Sequence, residues 1–234
     1  ARFFACITYP NSVWKGKKIV IQGGVIKPNG DLMSSPGACE HNGKTYYTFG
    51  AQFSKDYSGF DGTPNCTRTG FLMRKFLNES LTVTKELQST TDFMDFRYAE
   101  ILLNFAEAVV EKGETDGNLL DMAKKGLNDL RKRAAHTTEV DLTLDNVLRE
   151  RRIELAFENK GYWDLIRRRD FHSEFDNRRK MALVPMIDLR GEKPQYIFVR
   201  KFVSGANSCT FQTHHYYRHI PGTSTNGLTQ NPKH

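Results

Sequence analysis

The sequence has 234 residues, of which 38% are hydrophobic, so it suits one large or two small globular domains and not a disordered chain. Its formal net charge is +7, from 34 Lys and Arg against 27 Asp and Glu. This charge is spread along the chain and favours an anionic partner only weakly. No run of about 18 apolar residues occurs, so we expect no membrane-spanning helix.

The chain opens ARFFACITYP, with neither an initiator methionine nor a signal peptide. This start fits either a mature product or a fragment of a longer protein, and we favour the fragment. Its four cysteines form no CxxC or CxxH pattern, so a zinc site has little support. Four thiols allow three pairings, and the sequence leaves open both a single disulfide and buried thiols.

Residues 1–90 form a turn-rich region in which glycine repeatedly neighbours Pro, Asn or Asp, as in IQGGVIKPNGD and SSPGACEHNGK. Short strands or extended loops are predicted between these turns at Lys18–Gln22 and Thr45–Phe49. The segment TGFLMRKFL predicts a further short strand that leads into the helical part.

Residues 91–172 form a predicted helical scaffold. Its first helix runs from Asp92 to Lys112, with Phe93 and Phe96 opening an apolar stripe at three- and four-residue spacing and Gly113 as the stop. Further helices are predicted at three places: Asn118–Ala134, Leu144–Glu158 with Thr143 as its cap, and Tyr162–Phe171 after a break at Gly161.

The pattern predicts a mostly α fold of tetratricopeptide-like helix pairs with long irregular loops and a few short strands. A strict 34-residue repeat is not visible. Residues 173–234 are predicted to be irregular, apart from one strand within Lys193–Val203.

The segment Leu148–Phe171 alternates charged and large apolar residues. At 100° per residue, Arg151 falls in the same stripe as the leucines, beside a ladder of Glu150, Glu154 and Glu158. We predict a partly buried structural network in which Arg151 pairs with Glu154 or Glu158, with Asp164 as a further partner.

Two other interpretations of this segment have less support. Catalysis would need a nucleophile or a histidine near the carboxylates, and neither is present. Nucleic-acid binding would need a face with few acids, but Arg149–Lys180 holds ten basic and seven acidic residues. We therefore expect no catalytic residues and no nucleic-acid partner.

Three segments occur in an order that resembles the C-terminal half of the SusD/RagB family: FRYAEILLNFAEAVVEKG, GLNDLRKRA and LRERRIELAFENKGYWDLIRR. The opening RFFACITYPNSVWKG, the segment TGFLMRKF and the closing HIPGTSTNGLTQNP are also similar to that family. The resemblance therefore covers nearly the whole chain.

The resemblance implies a SusD-like fold and a lipoprotein on the outer-membrane surface of Bacteroidetes. It implies binding of a nutrient oligosaccharide, and delivery to a SusC-like TonB-dependent transporter, without enzymatic activity or a cofactor. The RagB branch implies peptide binding instead. Family members are about twice as long, so we expect their N-terminal half, with the lipid anchor, to be absent from this chain.

Glycan sites use aromatic rings as platforms, with neighbouring polar groups that bind hydroxyls. Such rings are frequent in residues 1–90, and the ligand-binding candidates are Trp14, Tyr46, Tyr47, Tyr57 and Phe60. Each ring could instead pin a loop to the core.

Two other features of the sequence point away from ligand chemistry. Trp163 is expected to lie in the core. Adjacent His214 and His215 alternate faces in an extended chain, so we expect no metal there.

Three hypotheses follow for the function. The first is a glycan-binding SusD-like protein, with peptide binding as its variant. The second is a helical-repeat adaptor that binds protein partners in a groove. The third is a hydrolase, for which no convergent acid–base pair is visible in the sequence.

Overall fold

The computed structural model describes residues 1–49, 66–81, 89–203 and 205–231, except the side chain of Ser224. Of these residues, roughly 33% are helical and 19% lie in strands. The chain divides into two compact units that alternate along the sequence. Unit 1 comprises Ala1–Ala5, Lys85–Glu174 and Gln212–His234, and unit 2 comprises Cys6–Thr84 and Phe175–Phe211.

The regular elements of the described residues are short, apart from three helices and one hairpin. The helices are α1 (Arg2–Cys6), α2 (Tyr98–Lys112), α3 (Gly117–Arg133), α4 (Leu144–Glu154), α5 (Gly161–Arg167), α6 (Phe171–Phe175) and α7 (Thr223–Asn226), with a 3-10 turn at Thr213–Tyr216. The strands are β1 (Ile7–Thr8), β2 (Val13–Trp14), β3 (Lys17–Lys18), β4 (Val25–Ile26), β5 (Leu32–Met33), β6 (Ala38–His41), β7 (Lys44–Tyr47), β8 (Leu72–Met73), β9 (Met181–Asp188) and β10 (Gln195–Phe202).

Unit 1 is organised around α2, which packs against both α3 and α4. The buried side chains between them are Ala99, Leu103, Ala106, Val109, Ala123, Leu127, Leu130, Val147 and Leu155. Those on α2 and α3 recur at three- and four-residue spacing, which places one apolar stripe of each helix in the core. Gly126 lets α2 approach closely, because a Cβ there would lie 3.3 Å from the Leu102 side chain.

The start predicted for the first helix, Asp92, is wrong, because α2 begins at Tyr98. Arg97 occupies the N-cap position with an extended backbone, φ −150°, and its side chain makes no capping hydrogen bond. Phe93 and Phe96, predicted to open the apolar stripe, are 59% and 61% exposed. The predicted stop is confirmed, since Gly113 adopts the left-handed conformation after Lys112.

The other helix predictions differ in accuracy. The second helix is confirmed to within one residue at each end, and the Thr143 cap of α4 is confirmed by its bond from the Asn146 N–H. However, α4 ends at Glu154 and not Glu158, since Phe157 and Asn159 take positive φ values. Gly161 therefore starts α5 and does not break a longer helix.

Unit 2 contains a four-stranded sheet in the order β10-β9-β4-β5. The β9–β10 and β4–β5 pairs are antiparallel, whereas β4 and β9 run parallel. Alternate residues of β9, Ala182, Val184 and Met186, are buried together with Val203. This two-residue period marks the inner face of the sheet.

The prediction that residues 173–234 are irregular is wrong for the β9–β10 hairpin, whose strands have eight residues each. The strand predicted within Lys193–Val203 is confirmed as β10. Strands also form near the three places predicted in residues 1–90, as β3, β7 and β8, but with two to four residues each. More of the described residues are helical than lie in strands, as predicted, but the strand content is larger than the few short strands expected. The tetratricopeptide-like pairing stays a prediction.

The positive charge of the chain is not evenly spread, contrary to expectation. The sequence ranges of unit 2 hold 16 Lys and Arg against 8 Asp and Glu, a formal surplus of +8. Those of unit 1 hold 18 against 19, a formal charge of −1. The surplus therefore belongs to unit 2.

Candidate ligand-binding site

A cavity of about 430 Å³ opens in unit 2, within the range usual for small-molecule sites. It combines tyrosine rings with amide, hydroxyl and ammonium groups, and we name it the tyrosine cavity. Its lining residues are Asn11, Val20, Gln22, Lys44, Thr45, Tyr46, Tyr47, Ile187, Pro194, Gln195 and Tyr196. These residues come from two regions far apart in sequence, residues 11–47 and residues 187–196.

The β6–β7 hairpin supplies one wall of the tyrosine cavity. Its strands join through Asn42 and Gly43, which have φ values of 50° and 69°. An Asn-Gly pair with two positive φ values gives the tight turn whose twist suits two antiparallel strands. The turn fixes the register that places Tyr46 opposite Cys39 and Lys44 opposite His41.

Gln22 ties this hairpin to the rest of the cavity. Its side chain is buried, and its Nε2 donates to the backbone oxygens of Tyr47 at 2.8 Å and Thr48 at 3.0 Å. Its Oε1 accepts from the Tyr196 hydroxyl at 3.4 Å. Gln22 thus holds two tyrosines from distant parts of the sequence in one wall, and burial raises the pKa of Tyr196.

Tyr46 has a distinct set of neighbours on its side of the hairpin. The Nζ of Lys44 lies 5.4 Å from the centre of the Tyr46 ring, and the His41 ring centre lies 6.4 Å from it. Residues two apart in a strand, and residues directly opposite, share a face. Thr45 and Glu40 lie on the other face, where their side chains bond to each other.

Two of the five ligand-binding candidates, Tyr46 and Tyr47, line this cavity together. Trp14 does not line it and is half-buried, with the Arg74 guanidinium 5.5 Å from its ring centre. Tyr57 and Phe60 lie outside the described residues. The sequence did not identify Gln22 or Tyr196 as site residues. Gln22 lies at the end of the predicted strand Lys18–Gln22, and the only signal for Tyr196 was its place in the predicted strand Lys193–Val203.

Unit 1 holds a larger cavity of about 780 Å³, which we name the charged cavity. Its lining is Glu100, Asn104, Glu107, Ala108, Glu111, Arg151, Arg167 and Arg168. The described lining of this cavity has no aromatic ring, and its charges bind one another: Glu107 accepts from Arg167 at 2.6 Å and from Arg168 at 3.0 Å. This cavity is consequently a weaker candidate for a sugar than the smaller one.

Arg151 is buried as predicted, but the prediction that it pairs with Glu154 or Glu158 is wrong. Its Nε donates to Asp164 at 2.8 Å, as expected for the alternative partner. Its other nitrogens donate to Asn104 at 2.6 Å and Glu100 at 3.3 Å, both on α2. Arg151 therefore joins α4 to α2 and α5.

Glu154 and Glu158 belong to a second part of the network, around Arg97. The Arg97 Nη1 lies 2.8 Å from Glu154, and its Nε lies 2.7 Å from Glu158. The Nε of Arg2 lies 2.7 Å from Glu154, and Arg133 contacts the same carboxylate. The predicted structural network exists, but its links run between segments distant in sequence.

Two further sequence expectations concern aromatic and histidine residues of unit 1. Trp163 is 50% exposed, so its expected place in the core is wrong. His214 and His215 lie in the 3-10 turn, with ring centres 4.1 Å apart. Among the described residues, no group of three or more His, Cys, Asp or Glu side chains is arranged to hold a metal ion.

The fold is that of SusD-like proteins. A SusD-like protein from Bacteroides fragilis is 21% identical over 100% of this chain and 38% of its own, with a TM-score of 0.56. A SusD-like carbohydrate-binding protein from the same species is 25% identical over 86% of this chain and 37% of its own, with a TM-score of 0.54. The chain thus spans less than two fifths of these relatives.

The chain belongs to the SusD family, whose pattern it matches over residues 1–234. None of the curated proteins compared with it matches. In the described ranges, no helix has both the length and the apolar character needed to cross a membrane.

Proposed function

We propose that the protein binds an oligosaccharide in the tyrosine cavity and leaves it chemically unchanged. The observation that carries the proposal is that Tyr46, Tyr47 and Tyr196 line one cavity together with three residues that carry side-chain amides. Membership of the SusD family supports it. So does similarity to a relative described as carbohydrate-binding.

The lining groups match the two surfaces of a sugar. The ring faces of tyrosine offer flat apolar area to sugar C–H groups. The amides of Asn11 and Gln195 each provide donors and an acceptor for hydroxyl groups. Gln22 is already engaged on both sides of its amide, so its role here is to position the tyrosines.

Calorimetric titration of the full-length protein with a panel of oligosaccharides and oligopeptides tests the proposal. Replacing Tyr46 by Ala should weaken binding of the best oligosaccharide about tenfold, a loss of about 1.4 kcal/mol. The matched control is Tyr98→Ala, which removes a tyrosine that is 71% exposed on α2 and outside the cavity. Circular dichroism checks that both variants fold.

The outcomes of this panel separate the hypotheses. Tight binding of oligopeptides with no binding of sugars would replace the glycan proposal by the peptide variant. Equal losses in the two variants would show that the tyrosine cavity is not the site. Turnover of any oligomer that disappears when a Glu or Asp is substituted would overturn the non-enzymatic proposal.

Family membership also supports a wider role for the whole protein. We infer that it is anchored at the outer-membrane surface through its N-terminal part and passes its ligand to a SusC-like TonB-dependent transporter. Isolation of the full-length protein from outer membranes tests this role. A transporter of that class should co-purify with it, and its repeated absence would argue against delivery.

A further inference from the structure

We propose that the tyrosine cavity selects an oligosaccharide with an anionic substituent, which the ammonium group of Lys44 contacts beside the Tyr46 ring. This inference rests on the proposed function and specifies its ligand class. The shared chemistry is a sugar ring with a fixed negative charge, either a uronate carboxylate or a sulfate ester.

The described lining of the tyrosine cavity carries a single charge, which is positive. Lys44 is the one charged side chain among its described lining residues, and no carboxylate lines it there. Within the described part of the chain Lys44 makes no ion pair, and its Nζ lies 5.4 Å from the centre of the Tyr46 ring. An anionic ligand would consequently meet a cation that no carboxylate of the described residues already binds.

The acid of the hairpin, Glu40, is engaged by a neighbouring side chain on the face opposite Lys44. Glu40 pairs with Thr45 across the two strands, and its carboxylate accepts from the Thr45 hydroxyl. Lys44 lies one residue from Thr45 and so projects from the opposite face, with Tyr46 and His41. The hairpin therefore separates its positive side chain from its negative one.

The net charge of unit 2 is positive, like the charge of Lys44 in the cavity. Unit 2, which contains every lining residue of the cavity, has a formal surplus of +8 in its sequence ranges. Summed charge of one sign raises the local concentration of an oppositely charged ligand, and salt weakens this effect. The charged cavity of unit 1, by contrast, has three acids and three arginines that bind one another.

Two matched pairs of sugars test the inference with the full-length protein. The first pair is a hexamer of galacturonic acid and its fully methyl-esterified form, which differ in charge but share a backbone. The second is a sulfated galactan hexamer and its desulfated form. We expect the anionic member of one pair to bind about fivefold more tightly at low salt, and the pair identifies the source of the charge.

Two lysine variants locate the effect. Lys44→Met should abolish the preference for the anionic sugar, so that both members of the pair bind equally. Lys180→Met removes one exposed positive charge from the same unit, outside the cavity, and should retain the preference.

The outcomes distinguish this inference from the proposed function. Equal binding of charged and neutral members in both pairs, or a preference that persists in Lys44→Met, would overturn the inference while sugar binding itself stands. Loss of the preference in both lysine variants would also overturn it, because general charge would then be responsible. No binding of any of the four sugars, and none in the wider panel, would overturn both.

Discussion

Arg151 has three partners from two other helices, and none of them is close in sequence. Its contacts with Asp164, Asn104 and Glu100 use all three nitrogens of the guanidinium group. A buried guanidinium is tolerated only where such partners meet its donors. The helical phase therefore predicts that Arg151 is buried, whereas the identity of its partners depends on how α2 and α5 pack.

Arg151→Leu should lower the free energy of unfolding by about 2 kcal/mol or more, because the Glu100 and Asp164 carboxylates lose the buried Arg151 guanidinium and keep only Lys160 and Arg167 as their respective cations. Urea denaturation of the full-length protein measures the change. Arg152→Leu, one residue along the same helix and exposed, is the control and should cost less than about 0.5 kcal/mol. Equal effects of the two changes would contradict the assigned role.

Gly70 is required for a different reason, because its backbone has a φ value of +92° and lies against β9. A Cβ at this position would overlap the carbonyl oxygen of Leu183, and that backbone atom is held by the sheet. Gly30 has nearly the same φ value, +91°, but nothing lies within 4 Å of the position of its Cβ. A comparison of substitutions at the two glycines therefore distinguishes the effect of steric overlap from that of backbone strain.

Gly70→Ala should destabilise the protein by about 3 kcal/mol or more, since both the left-handed backbone and the overlap oppose a side chain. Gly30→Ala meets only the backbone strain and should cost about 1 kcal/mol. Thermal unfolding of both variants provides the comparison. If Gly70→Ala proved no worse than Gly30→Ala, the close approach of this loop to β9 would be refuted.

At the scale of elements, the acidic side chains of α4 connect the helices of unit 1. Burial by itself raises the pKa of Glu154, but hydrogen bonds and charges from Arg97, Arg2 and Arg133 outweigh it and lower the pKa below its ordinary value of 4.5. Glu107 on α2 behaves in the same way: its burial is outweighed by Arg167 and Arg168. Ionised carboxylates therefore stabilise the folded chain.

The sign of the pH dependence follows from these lowered pKa values. Stabilisation by Glu154 is complete above the pKa of the unfolded chain and is lost as pH falls through the lower folded value. The melting temperature should therefore fall between about pH 5 and pH 3, and Glu154→Gln should make that fall shallower. Circular dichroism at 222 nm measures both profiles.

A surface acid serves as the control for this experiment. Glu139 pairs with Lys132 at 3.2 Å, and both side chains are more than half exposed. Exposed pairs contribute little to stability, so Glu139→Gln should leave the pH profile unchanged. A slope for Glu154→Gln identical to that of the unchanged protein would show that this carboxylate is not linked to folding.

The elements also show which parts of the fold a sequence can predict. The helix α3 is predicted closely because its apolar stripe is a local pattern. The strand β9 is missed because Pro185 lies inside it, and proline in a strand with neighbours on both sides argues against that assignment. In the structure Pro185 lacks a backbone donor but still takes part in strand pairing, because its carbonyl accepts from the Gly23 N–H at 2.8 Å.

The start of α2 was not predictable from its own segment. Acidic residues and a regular apolar pattern indicate a helix from Asp92, but Arg97 bonds to Glu154 and Glu158, 57 and 61 residues away. Those bonds accompany an extended backbone at Arg97. The tyrosine cavity could not be predicted in full for the same reason. Tyr46 and Tyr47 are predicted from composition, whereas Tyr196 lies near them because its hydroxyl bonds to Gln22, 174 residues away in sequence.

At the scale of the whole molecule, the positive charge of the chain is concentrated in unit 2, which also contains the tyrosine cavity. A net charge of +7 over the full chain conceals a unit near neutrality and a unit at +8. The sequence alone could not reveal this, because each unit is assembled from separate stretches. The same division places the buried ion pairs of α2 and α4 in the nearly neutral unit.

The parallel pairing of β4 with β9 has a consequence for the order of events on the ribosome. Val25 pairs with Ile187, so the four-stranded sheet cannot be completed until synthesis has passed residue 187. The helices α2, α3 and α4 are all encoded between these two residues and belong to the other unit. These three helices can therefore pack against one another before β4 meets its partner strand, and their compaction shortens the loop that the final strand pairing must close.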